Sequence, residues 1–471
     1  MQYISTRGRA PALPFDEVLL SGLARDGGLY VPAVWPMFSR DDIRAMKGLP
    51  YAEVALRVMQ PFVGETVPAD ALRRIVEDSY AGFDHSCVAP LKQLAPNLWL
   101  MELFHGPTLA FKDYAMQVLG RLFDHVLAAR GERVTIVGAT SGDTGAAAIE
   151  ACRDRGNVDC FILYPRGRVS PMQQRQMTTV DAPNVHAIAV EGTFDDCQDL
   201  VKAAFNDTAF RDAYGLSAVN SINWARIMPQ IAYYFWAAVN LGAPERPVSF
   251  SVPTGNFGNV YAGYAALQMG LPIERLVVGS NANDILTRFF DSGTMEMRGV
   301  VPTLSPSMDI QVSSNFERLL FDLFDRNGAE VEATLTAFRR DGRFAVGDNQ
   351  LGRAGALFLA GRSDDDQAVE TIRTVRARTG ELLDPHTAVG IRAVEQTAAS
   401  RDPAVPVVAL ATAHPAKFAA AIERAVGTPA ALPERMADLM ERPERTPVIP
   451  NDLVALKAYV QERVVARGAA A

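Results

Sequence analysis

The sequence has few cysteines, no basic run and no long apolar run, and each absence excludes a class of protein. The four cysteines of this 471-residue chain form no CxxC pair, and their wide spacing suits neither a zinc site nor a disulfide framework. The formal net charge is -8, and no cluster of basic residues offers the surface that nucleic-acid binders use. No window approaches the roughly 18 apolar residues of a membrane-spanning helix, and no signal peptide is recognisable. We therefore expect a cytoplasmic protein without a metal that binds neither nucleic acid nor membrane.

Lysine is also scarce, since only six of the 46 basic residues are lysines. Lys112 lies in an apolar segment that begins with a turn, residues 104–114, where Leu109 and Phe111 argue against simple exposure. Removal from water lowers the pKa of a lysine and makes it a nucleophile and a base. Lys112 is therefore a candidate nucleophile, and a solvated surface charge is the alternative.

The length and the composition predict an ordinary globular protein of two or three domains. Apolar residues make up 48% of the chain and charged residues 21%. The first 90 residues show apolar periodicity without strand–helix alternation, which indicates a mostly helical region. From about residue 95, short β-branched runs end in Gly or Pro and lead into helical patterns, as in an α/β protein with a parallel sheet.

Two strand–loop–helix units are the clearest. The first has a strand at 134–137, a loop at 138–145 and a helix at 146–151; the second has a strand at 248–252, a loop at 253–259 and a helix at 260–269. Further strands are predicted at 160–164, 276–278 and 405–411. Ligands of open α/β sheets bind at the carboxyl ends of the strands, so we expect the functional residues in these loops.

Four segments carry candidate functional residues, and two of them are the loops just described. PTGNFGN at 253–259 can direct backbone N–H groups at a phosphate, although it matches neither a Walker loop nor a dinucleotide loop. GATSGDTG at 138–145 offers hydroxyls and a helix start. NSINWAR at 220–226 offers amides, a hydroxyl and an arginine, and DPHTAVG at 384–390 contains His386.

Each of these segments also has a purely structural interpretation. The 253–259 loop can be a tight turn, and Ser141 or Asp143 can serve as a helix N-cap. Residues 220–226 can be an ordinary helix start. His386 can be a buried histidine whose hydrogen bonds are satisfied.

Taken together and in order, these motifs resemble the threonine synthase family, which belongs to the fold type II, tryptophan-synthase-β-like enzymes that use pyridoxal 5'-phosphate (PLP). The resemblance covers nearly the whole chain. It includes the N-terminal arm of the longer-chain branch at 5–8 and 26–32, FHGPTLAFKD at 104–113, SPSMDIQVSSNFERL at 305–319 and ATAHPAKF at 411–418.

The resemblance implies a role for each candidate residue. Lys112 would form the Schiff base with PLP and act as the catalytic base. The residues that would bind the cofactor phosphate are Gly255, Asn256, Phe257, Gly258 and Asn259, and Thr412 would hydrogen-bond the pyridine nitrogen. The residues that would bind the substrate carboxylate are Ser141, Gly142, Asp143 and Thr144. Those that would contact the substrate phosphate are Ser221, Asn223 and Arg226, with His386 and Lys417 as further candidates.

The fold implied by the resemblance has two open parallel-sheet domains with the cofactor between them, plus a mostly helical N-terminal domain. Its boundaries would be 1–92 for the N-terminal domain, 93–130 and 227–471 for the large PLP-binding domain, and 131–226 for the small substrate-binding domain. The implied activity is that of a carbon–oxygen lyase acting on phosphates, which converts O-phospho-L-homoserine and water to L-threonine and phosphate. A monomer or a weak homodimer is expected.

Two alternatives remain at this point. One is another fold type II enzyme, such as a serine or threonine dehydratase or a sulfhydrylase, which shares the cofactor but not the phosphorylated substrate. The other is a homologue that binds PLP or senses a ligand without turnover. The N-terminal arm and NSINWAR favour a threonine synthase over the first, and the presence of Lys112, Arg226 and Thr412 argues against the second.

Overall fold

The computed structural model describes residues 1–218 and 221–468, with only the backbone described for 465–468. The strands are β1 Gln2–Ser5, β2 Leu13–Pro14, β3 Tyr30–Pro32, β4 Leu91–Ala95, β5 Leu98–Glu102, β6 Val134–Ala139, β7 Val158–Pro165, β8 Val185–Glu191, β9 Leu216–Ser217, β10 Val248–Pro253, β11 Ile273–Ser280, β12 Thr294–Glu296, β13 Arg343–Ala345, β14 Phe358–Arg362, β15 Val407–Ala411 and β16 Val448–Pro450.

The helices are α1 Phe15–Ser21, α2 Arg40–Arg44, α3 Tyr51–Val63, α4 Ala69–Tyr80, α5 Lys112–Arg130, α6 Asp143–Cys152, α7 Pro171–Thr178, α8 Phe194–Asn206, α9 Thr208–Ala213, α10 Trp224–Asn240, α11 Gly258–Gln268, α12 Ile285–Ser292, α13 Phe316–Leu323, α14 Gly328–Asp341, α15 Asp348–Gly355, α16 Asp365–Thr379, α17 Pro385–Gln396, α18 Ala419–Val426 and α19 Leu453–Gly468. Short 3-10 turns lie at Pro306–Met308, Ala398–Ser400, Pro415–Phe418 and Glu434–Met436.

The chain divides into two compact units. The larger unit contains Met1–Leu19, Leu23–Phe111 and Ser221–Ala431, and the smaller unit contains residues 20–22, 112–218 and 432–468. Each unit has its own sheet and its own apolar core. The domain boundaries expected from the sequence are drawn differently and stay a prediction.

The larger unit is built on a six-stranded sheet of order β14-β11-β10-β15-β5-β4. Its strands are parallel except β4, which pairs antiparallel with β5. The carboxyl ends of the central strands β10 and β15 therefore open on the same edge of the sheet, where the 253–259 loop and Thr412 follow.

The N-terminal region of the larger unit contains strands as well as the predicted helices. Strand β1 pairs antiparallel with β2 and β3, and helices α1 to α4 follow along the chain. The hydroxyl of Tyr3 in β1 donates to the carbonyl of Phe62 in α3 at 2.8 Å, which fixes the small sheet to the helices.

The smaller unit is built on a five-stranded parallel sheet of order β16-β8-β7-β6-β9. Its central strand β7 is buried at every position, as expected for a parallel strand covered on both faces. Helix α5 lies directly against α6, because a Cβ added at Gly120 would lie 2.2 Å from the carbonyl oxygen of Ala151. Strand β16 brings the C-terminal segment to this sheet, where Ile449, Leu456 and Val460 join the core.

The structure therefore confirms the predicted α/β architecture with two parallel sheets. The predicted strands at 134–137, 160–164, 248–252, 276–278 and 405–411 correspond to β6, β7, β10, β11 and β15. Among the described residues, no helix is long and apolar enough to cross a membrane.

Candidate active site

The 253–259 loop connects β10 to the N-terminus of α11 in the larger unit. Phe257 is the N-cap residue and has a left-handed backbone with φ of 63°, and no described side chain caps the helix. The backbone N–H groups of the first turn and the helix dipole then both favour an anion at this end.

The glycines of this loop are enclosed by residues 307–315. A Cβ at Gly255 would lie 2.8 Å from the carbonyl oxygen of Ser307 and 3.2 Å from the Cα of Met308. One at Gly258 would lie 3.2 Å from the Nδ2 of Asn315. Glycine at these positions lets the backbone approach its surroundings more closely than any other residue would.

Asn259 completes the loop with a buried amide. The hydroxyls of Tyr233 and Tyr234 donate to its Oδ1 at 2.6 and 3.0 Å. Its Nδ2 is buried and has no hydrogen-bond partner among the described residues. The loop thus presents N–H donors, which suit the oxygens of a phosphate.

The segment that leads into Lys112 is held against the end of β15. Leu109 has a positive φ of 60°, and its carbonyl accepts from the N–H of His414 at 3.0 Å. The N–H of Phe111 donates to the carbonyl of Thr412 at 2.8 Å. Lys112 is the next residue and the first of α5, with a side chain that is 12% exposed.

Within the smaller unit, Lys112 is paired with a carboxylate. Its Nζ lies 3.4 Å from the Oδ2 of Asp143, while the Nε2 of Gln173 donates to the Oδ1 of Asp143 at 2.8 Å. Gln173 also packs on Gly142, where an added Cβ would lie 2.5 Å from its side-chain oxygen. The lysine side chain is therefore largely but not fully buried, and its ammonium is oriented by Asp143.

Thr140 organises the 138–145 loop. Its Oγ1 accepts from the N–H groups of Gly142 and Gly145 at 3.0 and 2.9 Å. Gly142 is the N-cap of α6, so the alternative of a cap built by the side chain of Ser141 or Asp143 is not what the structure contains.

The 221–226 segment begins α10 in the larger unit, and Asn220, the first residue of its motif, lies outside the described residues. Asn223 is the N-cap: its Oδ1 accepts from the N–H of Ala225 and its Nδ2 donates to the carbonyl of Leu19. Its side chain therefore holds the helix start. Arg226 is 6% exposed, and burial lowers the pKa of its guanidinium to about 10. One of its terminal nitrogens, NH1, is buried and has no hydrogen-bond partner among the described residues.

His386 and Lys417 are engaged with protein groups. The Nδ1 of His386 lies 2.9 Å from the Oδ1 of Asp384, and its Nε2 accepts from the N–H of Ser307 at 3.3 Å. The ammonium of Lys417 is buried and donates to the carbonyl of Thr108 at 2.6 Å. Each side chain therefore helps to hold a loop, and the role of both as candidates for the substrate-phosphate pocket stays a prediction.

Comparison with known proteins places these loops in a family. Family models match in chain order: Threonine synthase N terminus at residues 2–80, Pyridoxal-phosphate dependent enzyme at 86–337, and Threonine synthase, C-terminal at 387–460. A threonine synthase of Pseudomonas aeruginosa is 56% identical over 463 residues, covering 98% of each chain. The chain belongs to the threonine synthase family.

Solved structures of the threonine synthase family share the whole fold. PLP-bound threonine synthase from Brucella melitensis matches with a TM-score of 0.97 and 54% identity, covering 98% of this chain and 99% of that one. The yeast threonine synthase matches with a TM-score of 0.94 and 39% identity over the same shares. The fold type II assignment is confirmed, and the chain is a PLP-dependent lyase.

The residues described above fit PLP. The cradle of 253–259 has close-packed glycines and an Nδ2 of Asn259 that no other described residue engages, and both features suit a phosphate group. Of the six lysines, Lys112 and Lys417 are largely buried, and the ammonium of Lys417 is engaged by a backbone carbonyl. Lys112, the first residue of α5, stays the candidate for the covalent bond to the cofactor.

Reasoning from the sequence missed three residues that organise the loops of this candidate site. Gln173 orients Asp143, and no motif marks it. Asn315 and Arg318 lie in SPSMDIQVSSNFERL, which the sequence comparison recognises, but neither was given a role. Their contacts join segments far apart in the chain, so only the structure reveals them.

Proposed function

We propose that this chain converts O-phospho-L-homoserine and water to L-threonine and inorganic phosphate. One observation carries the proposal: the larger unit holds a second candidate phosphate site beside the first. The 221–226 segment lies close to the 253–259 loop, because the Nδ2 of Asn315 donates to the carbonyls of both Ser221 and Asn256. In this segment Arg226 carries a buried guanidinium whose NH1 has no hydrogen-bond partner among the described residues. A substrate with its own phosphate accounts for that guanidinium, whereas a dehydratase substrate has no group for it.

Lys112 would hold the cofactor through its amine and then, once released by the substrate amine, move protons at Cα and Cβ. The chemistry that PLP supplies when bound is an electron sink that makes these protons acidic. Asp143 keeps the ammonium oriented, and Gln173 fixes Asp143. A proton shuttle must stay within reach of two adjacent carbons, and this pairing limits its range.

The remaining residues bind and orient. The N–H groups of 253–259 would hold the cofactor phosphate, and Thr412 would hydrogen-bond the pyridine nitrogen. Thr412 supplies a hydroxyl in place of a carboxylate, which would leave the ring largely unprotonated. The start of α6 at Ser141–Thr144 would bind the substrate carboxylate through its backbone, since the carboxylate of Asp143 itself would repel it.

Arg226 would stabilise the departing phosphate as its charge develops. The balance of the reaction is loss of the γ-phosphate after proton removal at Cα and Cβ, proton return at Cγ, addition of water at Cβ and proton return at Cα. Ser221 would add a hydroxyl to the same pocket, and Asn223 would position the helix that carries Arg226.

The test is the product balance of the purified holoenzyme. We expect one phosphate and one threonine per O-phospho-L-homoserine consumed. Formation of 2-oxobutyrate from threonine without threonine synthesis would instead indicate a dehydratase, and PLP binding without turnover would indicate a non-catalytic homologue.

Arg226→Gln sharpens this test. It should raise the KM for O-phospho-L-homoserine by roughly 10-fold to 100-fold, because a charge-assisted contact to phosphate is lost. Arg401→Gln is the matched control: that guanidinium is half-buried and donates to the carbonyl of Val394, away from these loops. An unchanged KM in Arg226→Gln would refute the role of Arg226. The cytoplasmic location and the monomer or weak homodimer stay predictions.

A further inference from the structure

Asn315 joins the 253–259 loop to the 221–226 segment through one buried amide. Its backbone N–H donates to the carbonyl of Asn256 at 3.1 Å. Its Nδ2 donates to that same carbonyl and to the carbonyl of Ser221, each at 3.1 Å. Because one nitrogen serves both carbonyls, the two segments are held within two hydrogen-bond lengths of each other.

Arg318 extends this connection by one turn of helix. It is fully buried; its Nε donates to the carbonyl of Tyr30 at 3.1 Å, and NH2 donates to the carbonyl of Ile222 at 2.5 Å. The third nitrogen, NH1, donates to the Oδ1 of Asn315. A single planar guanidinium thus fixes strand β3, the 221–226 segment and the side chain of Asn315 at once.

The acceptors of Arg318 are all neutral oxygens, and burial lowers the pKa of its guanidinium to about 10. A buried cation held by neutral acceptors is costly to maintain, so its presence in place of an apolar side chain needs a reason. Its three hydrogen bonds supply that reason, since no apolar residue could hold two backbone segments and the side chain of Asn315 in register.

The 253–259 loop is also fixed at its other end. The hydroxyl of Ser313 donates to the carbonyl of Gly255 at 2.7 Å, and Gly258 lies against Asn315. Displacement of residues 313–318 would therefore move both the loop and the start of α10.

We propose that Asn315 and Arg318 are positioning residues that set the separation between the 253–259 loop and the 221–226 segment. They keep the cofactor-phosphate donors and the substrate-phosphate donors in register. The substrate half of this inference rests on the proposed function, and the cofactor half does not.

The test compares Arg318→Lys and Asn315→Ala with wild-type holoenzyme. Lysine keeps the charge and the stem but cannot reach three acceptors in the geometry of a planar fork. We expect the KM for O-phospho-L-homoserine and the inhibition constant of inorganic phosphate to rise about tenfold, with a smaller change in kcat. We also expect PLP to be released about tenfold faster when holoenzyme is diluted into a PLP trap.

Arg326→Lys is the matched control. Arg326 also stacks on a tryptophan at 5.9 Å and donates to backbone carbonyls, those of Pro32 and Ala33. Arg318 stacks on Trp224 at the same distance. Because none of the contacts described for Arg326 reaches the 253–259 loop or the 221–226 segment, its lysine variant should keep wild-type KM and PLP release.

A double-mutant cycle separates positioning from general destabilisation. If Arg318 acts through the 221–226 segment, Arg318→Lys should change the KM by less than about twofold in an Arg226→Gln background. Full additivity of the two changes would overturn the proposal, as would wild-type KM and wild-type PLP release in both Arg318→Lys and Asn315→Ala. If Arg318→Lys does not fold, Asn315→Ala decides. A wild-type enzyme that makes no threonine would refute the proposed function, and PLP release would still test the cofactor half.

Discussion

Replacing Gly255 with alanine should weaken cofactor binding through a backbone clash. The added Cβ would lie 2.8 Å from the carbonyl oxygen of Ser307 and 3.2 Å from the Cα of Met308, so either the loop or its neighbour must move. Either movement would break a hydrogen bond. The N–H of Ser307 donates to the Nε2 of His386, and the carbonyl of Gly255 accepts from the hydroxyl of Ser313.

Overpacking of this kind costs roughly 1–3 kcal/mol. If the loop takes up the movement, that free energy corresponds to a roughly 5-fold to 150-fold weaker affinity for PLP. The assay is titration of apoenzyme with PLP, followed by the visible absorbance band, together with thermal unfolding of the apoenzyme. We expect both a higher Kd and a lower Tm.

Gly352→Ala is the matched control. Gly352 lies on the exposed side of α15, and an added Cβ meets no described atom within 4 Å. Alanine should leave PLP affinity unchanged there and stabilise the helix by about 0.5–1 kcal/mol. A Gly255→Ala protein with wild-type PLP affinity and wild-type Tm would refute the interpretation of the loop as a close-fitting cradle.

Two further predictions concern the other groups of the site. Gln173→Leu removes the hydrogen bond to Asp143 and should lower kcat by about tenfold. Gln174→Leu, a change to the neighbouring glutamine, should leave kcat unchanged. Equal kcat in both variants would contradict the role of Gln173. Burial, with a smaller contribution from His105, lowers the pKa of His414 to about 4. The unfolded chain therefore binds this proton more tightly than the folded chain does. The free energy of unfolding is greatest above about pH 6.5 and decreases by about 3 kcal/mol as the pH falls to 4. His414→Gln should remove this part of the pH dependence of Tm, and an unchanged acid profile would argue against it.

Local patterns predict the strands and loops of the site well, because Gly-bounded β-branched runs have a direct structural meaning. Helix starts are harder. Helix α6 is expected from residue 146 but begins at Asp143, since its N-cap is Gly142 with a φ of 146° and no capping side chain. Ser141 and Asp143 flank the actual cap residue, so the capping signals in the sequence do not mark the correct first turn.

Contacts between distant segments could not be predicted. The side chain of Asn315 donates to the carbonyl of Ser221, 94 residues away, and that of Arg318 donates to the carbonyl of Ile222, 96 residues away. The sequence around these two residues shows no pattern typical of catalysis. In the same way, the three residues of β16 give no hint that they extend the sheet at β8. Such pairings depend on the assembled fold rather than on periodicity.

Borohydride trapping tests the central claim most directly. The holoenzyme is reduced, digested and analysed by mass spectrometry, with Lys112→Ala treated in parallel. We predict one reduced PLP adduct, on Lys112, and a Lys112→Ala protein without the visible band and without threonine formation. An adduct on Lys417 or on any other of the six lysines, or an active Lys112→Ala enzyme, would contradict the account.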